Sequence, residues 1–395
     1  MADRIPEGWR ECKIENLAKR ITSGGTPLTK VKEYYGGEIP WLNTKEISFN
    51  RITDTEVKIT KLGLNNSSAK WIDPNSVIVA MYGATAGKIA INKIPLTTNQ
   101  ACCNLTIDET IADYNFVYYC LRNSYDELEN LASGAAQQNL NVGIISDFEI
   151  LLPSLPEQHA IASVLSSLDD KIDLLNRENQ TLEQMAEALF RQWFIEEADE
   201  KWEEGTIANM IDILPGFPFK SDLFTELGKY CLITIKSVQD GHLDISKTDK
   251  INDIPSRMPN YCYLKPGDIL LSLTGNVGRC CLVDVNNALL NQRVAKLFAK
   301  NSRDMAYTYI YFRMEKTKRL LEEMAKGTAQ PNLSPVETLR IKMRIPPKSK
   351  LELFSSKSNP IIKRILCNKM QIRTLEKLRD TLLPKLMSRE VRVKL

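Results

Sequence analysis

The residues that could do chemistry come first. Gly83-Ala-Thr-Ala-Gly87-Lys88 has the glycines and lysine of a loop that cradles phosphate, but its spacing is one residue short of G-x-x-x-x-G-K-[ST]. Ile89 also stands where a hydroxyl would bind magnesium, so nucleotide hydrolysis is not expected. Asp54-Thr-Glu56-Val-Lys58 has the residue types of a nuclease metal set, with the two acids too close together; it reads as a solvated charged turn. His159 and His242 are the only histidines, too few to build imidazole acid–base catalysis or a His-based metal site. His159 follows Pro156-Glu-Gln at a helix start, a structural position. There is no G-x-S-x-G elbow, and the single Asn-Pro, Asn359-Pro360, lies outside any strand context. No complete catalytic constellation emerges, which points to a protein that binds.

The elements around these residues come in duplicate. Gly134-Ala-Ala-Gln-Gln-Asn-Leu140 and Gly327-Thr-Ala-Gln-Pro-Asn-Leu333 share G-x-A-Q-x-N-L at a shift of 193 (327 − 134). The same shift carries Trp9 onto Trp202 and Pro153 onto Pro346. Repeats of this length are domains, not solenoid units. In each copy a turn feeds a buried strand, Trp71 to Gly83 and Tyr263 to Gly275. A glycine turn ending in a base follows, Gly87-Lys88 or Gly278-Arg279, and then Asn-Gln at Asn99-Gln100 or Asn291-Gln292. G-x-A-Q-x-N-L itself reads as a turn and cap that the fold needs, or as a ligand contact. Ser334-Pro-Val-Glu337 predicts a capped short helix and Asn141 the matching cap in the first copy, with strands over Leu339–Ile345 and Phe148–Pro153.

Each copy closes on a helical segment with heptad spacing. Ile161, Leu165, Leu168, Ile172, Leu175, Asn179, Leu182, Met185 and Leu189 step along one face; Ile361, Ile365, Asn368, Ile372, Leu375, Leu378 and Leu382 do so in the second copy. A coiled coil is expected, with rods of about 60 Å for roughly 40 residues and Asn179 and Asn368 fixing one register. Pro360 should kink the second helix or mark its start. Acids dominate Asp169 to Glu200 and bases Lys363 to Lys394, so the two segments should pair.

Bulk composition is that of a soluble globular chain: 395 residues with 43% hydrophobic and 26% charged side chains, room for two or three domains. A net charge of +3 says little by itself. No apolar run could span a bilayer, and the first residues lack a signal-peptide core. Nine cysteines without C-x-x-C spacing fit free thiols in a reducing cytoplasm, with Cys102-Cys103 and Cys280-Cys281 as buried small side chains.

Leu152 to Ile172, with Pro153-Ser-Leu-Pro-Glu157-Gln158, and Leu375 to Ser388 resemble the central and C-terminal conserved regions of the specificity subunit of type I restriction-modification systems. Thr22-Ser-Gly-Gly-Thr-Pro27, Ile39-Pro-Trp41 and Gly216-Phe-Pro-Phe-Lys-Ser221 add to the likeness, which covers essentially the whole chain. The resemblance implies an α+β protein: two similar α/β target-recognition domains separated by two long antiparallel helices as a coiled coil, with a pseudo-twofold internal repeat. The corresponding boundaries are residues 1–153 and 198–347 for the domains, 154–197 and 348–395 for the conserved helices. It also implies a non-catalytic subunit that reads a bipartite site on double-stranded DNA. Two methyltransferase subunits, which carry S-adenosylmethionine, would dock on the helices; restriction/translocase subunits can join, and no membrane is involved. Two departures bear on partner docking: Pro346-Pro-Lys-Ser-Lys350 lacks counterparts of Glu157 and Gln158, and Arg389 stands where a glycine commonly follows the serine.

DNA binding needs cations for phosphates and polar groups for base edges. Repeat-equivalent bases are the first candidates for phosphate, Lys45 with Lys236 and Lys88 with Arg279; Lys30, Lys32 and Lys220 flank the glycine loops. Base readers should differ between copies, and Arg293, where the first copy has Ala101, is such a position. The competing readings are the recognition portion of a single-chain methyltransferase and a coiled-coil scaffold that binds no nucleic acid.

Overall fold

The computed structural model describes residues 5–133, 140–326 and 332–394. The chain divides into two compact units, residues 1–171 with 375–395 and residues 172–374. The division therefore falls inside both long helices, rather than at their ends.

In the first unit the apolar run Val77–Ala80 is fully buried, as an interior strand should be. It lies in a five-stranded sheet ordered Ala18–Ser23, Cys102–Ile107, Val77–Ala80, Ile89–Asn92, Asn50–Ile52. A four-stranded sheet is ordered Val57–Ile59, Tyr35–Leu42, Leu96–Thr98, Trp71–Ile72; its central pair is parallel, with Trp41 opposite Thr97. The helix Tyr114–Asn123, N-capped by Asp113, packs Phe116 and Tyr119 into a core with Val79, Leu105, Leu165 and Leu386.

The second unit repeats this topology, except that its first sheet has four strands and no counterpart of the edge strand Asn50–Ile52. One sheet runs Ile211–Pro215, Val294–Ala299, Ile269–Ser272, Cys280–Leu282. The other runs Lys250–Ile251, Tyr230–Ile233, Ala288–Leu290, Tyr263–Leu264, again with a parallel central pair, Cys231 opposite Ala288. The helix Met305–Arg313 takes the place of Tyr114–Asn123.

Each unit has a two-stranded ribbon, Arg10–Lys13 with Glu149–Leu152 and Glu203–Thr206 with Lys342–Ile345. The caps form as expected: Asn141 Oδ1 accepts the Ile144 N–H at 3.0 Å and Ser334 Oγ the Glu337 N–H at 3.3 Å. The second cap carries its helix through Leu339, so the strand expected from Leu339 begins only at Lys342.

The long helices are Leu155–Arg191 and Lys348–Met387. Pro360 therefore lies well inside the second one and does not mark its start. In both units the helices run antiparallel. In the first, Asp169 meets Arg379 and Glu157 meets Arg389; in the second, Phe190 meets Phe354 and Asn179 meets Asn368, with Glu178 pairing with Arg364 at 2.8 Å. The expected pairing of acidic with basic segments occurs in these contacts.

The buried face departs from the heptad reading at several places. Ala186 is buried and Met185 half exposed; Ile362 is buried in preference to Ile361; and Arg379 is buried where Leu378 was expected. The first follows from the helix Met305–Arg313: Phe190, one turn after Ala186, packs on Tyr307 of that helix at 5.1 Å, turning that face inward. At the third, the Arg379 guanidinium is held by Asp169 at 2.8 Å, and Tyr119 donates to the same carboxylate at 2.6 Å.

Candidate nucleic-acid interface

In the first unit, strand ends deliver several loops to one edge. The turn Gly83 to Gly87 has both glycines at positive φ (88° and 79°), conformations that favour glycine. Lys88 closes it: its N–H donates to the Thr85 carbonyl and its carbonyl accepts the Ala80 N–H, each at 2.9 Å. Asn43 caps the short turn Thr44–Glu46 that carries Lys45. Thr85 Oγ1 donates to the Thr44 carbonyl at 2.9 Å, tying the Lys45 loop to the Lys88 turn. The glycine loop is tied to the Asn99-Gln100 segment, since Gly25 donates to the Thr98 carbonyl at 2.9 Å and Thr26 Oγ1 bonds Gln100. A Cβ on Gly24 would fall 2.1 Å from the Thr98 carbonyl oxygen, so only glycine lets these segments approach.

The second unit builds the same edge. Gly275 and Gly278 have φ of 72° and 81°. Here Gln239 makes the tie: its Nε2 donates to the Lys236 carbonyl at 2.7 Å and its Oε1 accepts from Arg279. Gly216 donates to the Val294 carbonyl at 2.9 Å, and Gln292 donates to the Phe217 carbonyl at 3.1 Å. Of G-x-A-Q-x-N-L, residues 134–139 and 327–331 lie outside the described residues. The final leucine is described in both copies: Leu140 donates to the Met81 carbonyl at 3.0 Å and Leu333 to Leu273 at 2.7 Å. The repeat thus ends on the strand that feeds the glycine turn.

The structure ties the Lys45 loop to the Lys88 turn and the Lys236 loop to Arg279, but the four are not equally available. Lys45 is bound to Glu56 Oε2 at 2.5 Å, which raises its pKa through the hydrogen bond and the charge of that carboxylate. Glu56 is thus occupied, and Asp54 pairs with Lys58 at 3.3 Å, so this acidic cluster is a set of surface ion pairs. Arg279 is half-buried against Gln239; Lys236 is exposed. Lys30 and Lys32 are exposed on the segment leading into the strand Tyr35–Leu42, and no hydrogen bond or ion pair among the described residues links them to Lys45 or Lys88. Lys220 is exposed after Phe219, on the glycine loop that also holds Gln292.

The shared Asn-Gln divides its labour. Asn99 and Asn291 are buried and donate their N–H to Leu42 and Ile233 at 3.0 and 3.1 Å, bridging to the neighbouring parallel strand. Gln100 and Gln292 are exposed. Gln239 and Thr85, which tie the basic loops together, escaped sequence reasoning because they are different residue types in loops of unequal length. Burial pushes the Cys103 and Cys281 thiols up to about 12, in keeping with inert core positions. Among the described residues no His/Cys/Asp/Glu group could hold a metal ion, and no helix is long and apolar enough to cross a membrane.

Comparison with known proteins gives this architecture a family. The chain is 28% identical to the type I restriction enzyme MjaIX specificity subunit of Methanocaldococcus jannaschii, over 99% of this chain and 95% of that protein. It is 25% identical to the MjaVIII specificity subunit of the same organism, with the same coverage of 99% and 95%. The crystal structure of the type I restriction-modification S subunit from M. genitalium shares the fold, with a TM-score of 0.59 at 20% identity over 98% of each chain. The type I restriction modification DNA specificity domain matches residues 6–184 and again 199–375, one copy for each repeat, and the chain belongs to that family.

Proposed function

We propose that this chain is the DNA-recognition subunit of a type I restriction-modification complex, each repeat reading one half of a bipartite target. The observation that carries the reading is the doubled edge: in each unit a side-chain bond to the backbone of the lysine loop ties that loop to a basic glycine turn, which carries Lys88 in one unit and Arg279 in the other. Cations at matching places suit a backbone that is the same in every sequence, while residues that differ between the copies suit two different half-sites.

In this reading the chain itself carries out no bond-making step. Two methyltransferase subunits dock on the long helices and supply S-adenosylmethionine chemistry, and restriction/translocase subunits join that assembly in the cytoplasm, where the DNA is. The length of the long helices sets the gap between the half-sites, so adding a helical turn to both changes that gap.

The test is a mobility shift of the full chain, with and without a methyltransferase partner, on a pool of random duplexes at two salt concentrations. Binding that weakens steeply with salt and enriches a recurrent sequence supports the proposal. Binding that is absent at low salt, or that enriches nothing in the assembled complex, contradicts it.

A further inference from the structure

Arg293 differs from the other cations at the second unit's edge. Its carbonyl accepts the Leu273 N–H at 2.9 Å, as the Ala101 carbonyl accepts the Met81 N–H at 2.8 Å in the first unit. The two backbones are thus anchored alike, but the side chains are not equivalent. Ala101 is buried at 5% exposure, whereas Arg293 is exposed and stands at φ 69°, in the left-handed region that an arginine rarely adopts. Such strain persists where the surroundings impose it, and it is a pointer to function. The surroundings here are the anchored carbonyl and the preceding Gln292, pinned to Phe217 and Asn291 at 3.1 and 2.8 Å.

Two other cations of this unit have carboxylate partners: Arg313 bonds Glu183 and Asp240, and Lys296 bonds Asp268 at 2.7 Å. Among the described residues the Arg293 guanidinium has no hydrogen-bond or ion-pair partner. It is a planar fork of donors on a fixed backbone, directly after a residue pair shared by both copies and at a position where they differ in charge. A guanidinium fork matches the O6 and N7 acceptors of guanine in the major groove, the commonest specific contact of this side chain.

We infer that Arg293 is a specificity-determining residue of the second repeat and recognises a guanine in its half-site. This rests on the DNA-recognition reading above. The first repeat, with Ala101 at the equivalent place, has no counterpart of this contact and reads its half-site by other residues.

The experiment reconstitutes the chain with its methyltransferase partner and maps the methylated sequences for the native chain, Arg293→Lys and Arg293→Gly. Glycine removes the fork and suits the left-handed backbone, so thermal stability should hold or rise. Both variants should lose a guanine requirement at one position of one half-site, by roughly fivefold to a hundredfold, with the other half-site unchanged. A uniform loss over all sequences with a reduced salt slope would make Arg293 a phosphate contact and overturn the inference alone, as would an unchanged motif. A native chain with no preference overturns the recognition reading and the inference together. A glycine variant that melts well below the native chain would mean that Arg293 serves the fold, and would also overturn the inference.

Discussion

Asn368 Nδ2 donates a hydrogen bond of 3.0 Å to Asn179 Oδ1 between the two long helices, with both residues buried. The repeat alignment sets neither asparagine opposite the other, since each copy carries an apolar residue where the other has Asn: Leu175 matches Asn368 and Ile372 matches Asn179. They meet because the helices run antiparallel in this unit. A polar pair in an apolar seam fixes register at some loss of stability. Asn179→Leu alone strands the Asn368 amide and should destabilise the chain by about 1–3 kcal/mol. Asn179→Leu with Asn368→Leu should recover most of that loss, and chemical denaturation of the four members of the cycle measures the coupling.

Asp169 and Arg379 make a second polar crossing, in the other unit. Their side chains are 12% and 10% exposed, and Tyr119 shares the carboxylate. Breaking a buried pair from one side leaves an uncompensated charge. Asp169→Ala or Arg379→Ala should therefore cost about 3–5 kcal/mol, read as a drop in the denaturation midpoint. A loss no larger than that of an exposed pair would show that the site is solvated.

For the phosphate candidates, Lys88→Ala and Arg279→Ala should weaken binding on every sequence alike. Each lost contact should reduce the log–log salt slope by about 0.9. Lys45→Ala should do less, because Glu56 already neutralises that ammonium at 2.5 Å. Titrations at several salt concentrations distinguish the three.

Arg389 has φ of 61° just beyond the end of the helix Lys348–Met387, and its N–H donates to the Leu386 carbonyl at 3.2 Å. This is the left-handed turn that commonly carries glycine after a helix. Arg389 keeps it while pairing with Glu157 at 3.5 Å and donating to the Glu7 carbonyl. Arg389→Gly exchanges those contacts for a relaxed backbone, so its melting temperature should stay within a few degrees of native. Arg389→Ala loses the contacts and keeps the strain, and should melt lower than either.

The His242 imidazole is held below its usual range, first by partial burial and then by the nearby Lys369 charge. The unfolded chain then binds more protons than the folded one as the pH falls below about 6.5. The stability due to neutral His242 is complete above that pH and declines on acidification. His242→Gln should flatten this part of the stability profile between about pH 7 and 5; an unaltered slope would place the titration elsewhere.

How far this was legible depended on whether the signal was local. The turn chemistry of Gly83 to Lys88, the caps Asn141 and Ser334 and the buried run Val77–Ala80 are written in adjacent residues, and they form as read. The phase of the helices was not local. Met185 and Ala186 differ by one step, and only Phe190 and Tyr307, far apart in sequence, decide which turns inward. Arg379 reads as a surface cation until Asp169 and Tyr119 surround it.

Gln158 illustrates the same limit. Buried at 1% exposure, it accepts the Asp113 N–H and donates to the Pro153 carbonyl, both at 3.0 Å. The second copy has no aligned glutamine. Asn359, elsewhere along its helix, accepts from the Ala306 N–H at 3.3 Å and donates to the Arg303 carbonyl at 2.9 Å. The brace is conserved in kind but not in position, which no alignment of the two copies reveals. Repeat equivalence matched the basic loops of the two copies, while the Glu56 partner of Lys45 and the Gln239 tie required three-dimensional contact.

The central claim is that two like-built units each read DNA, and methylome sequencing of a host carrying this chain with its methyltransferase partner tests it most directly. The account predicts one asymmetric motif in two specified parts with an unspecified gap between them. A single uninterrupted motif, or methylation with no sequence preference, would contradict it.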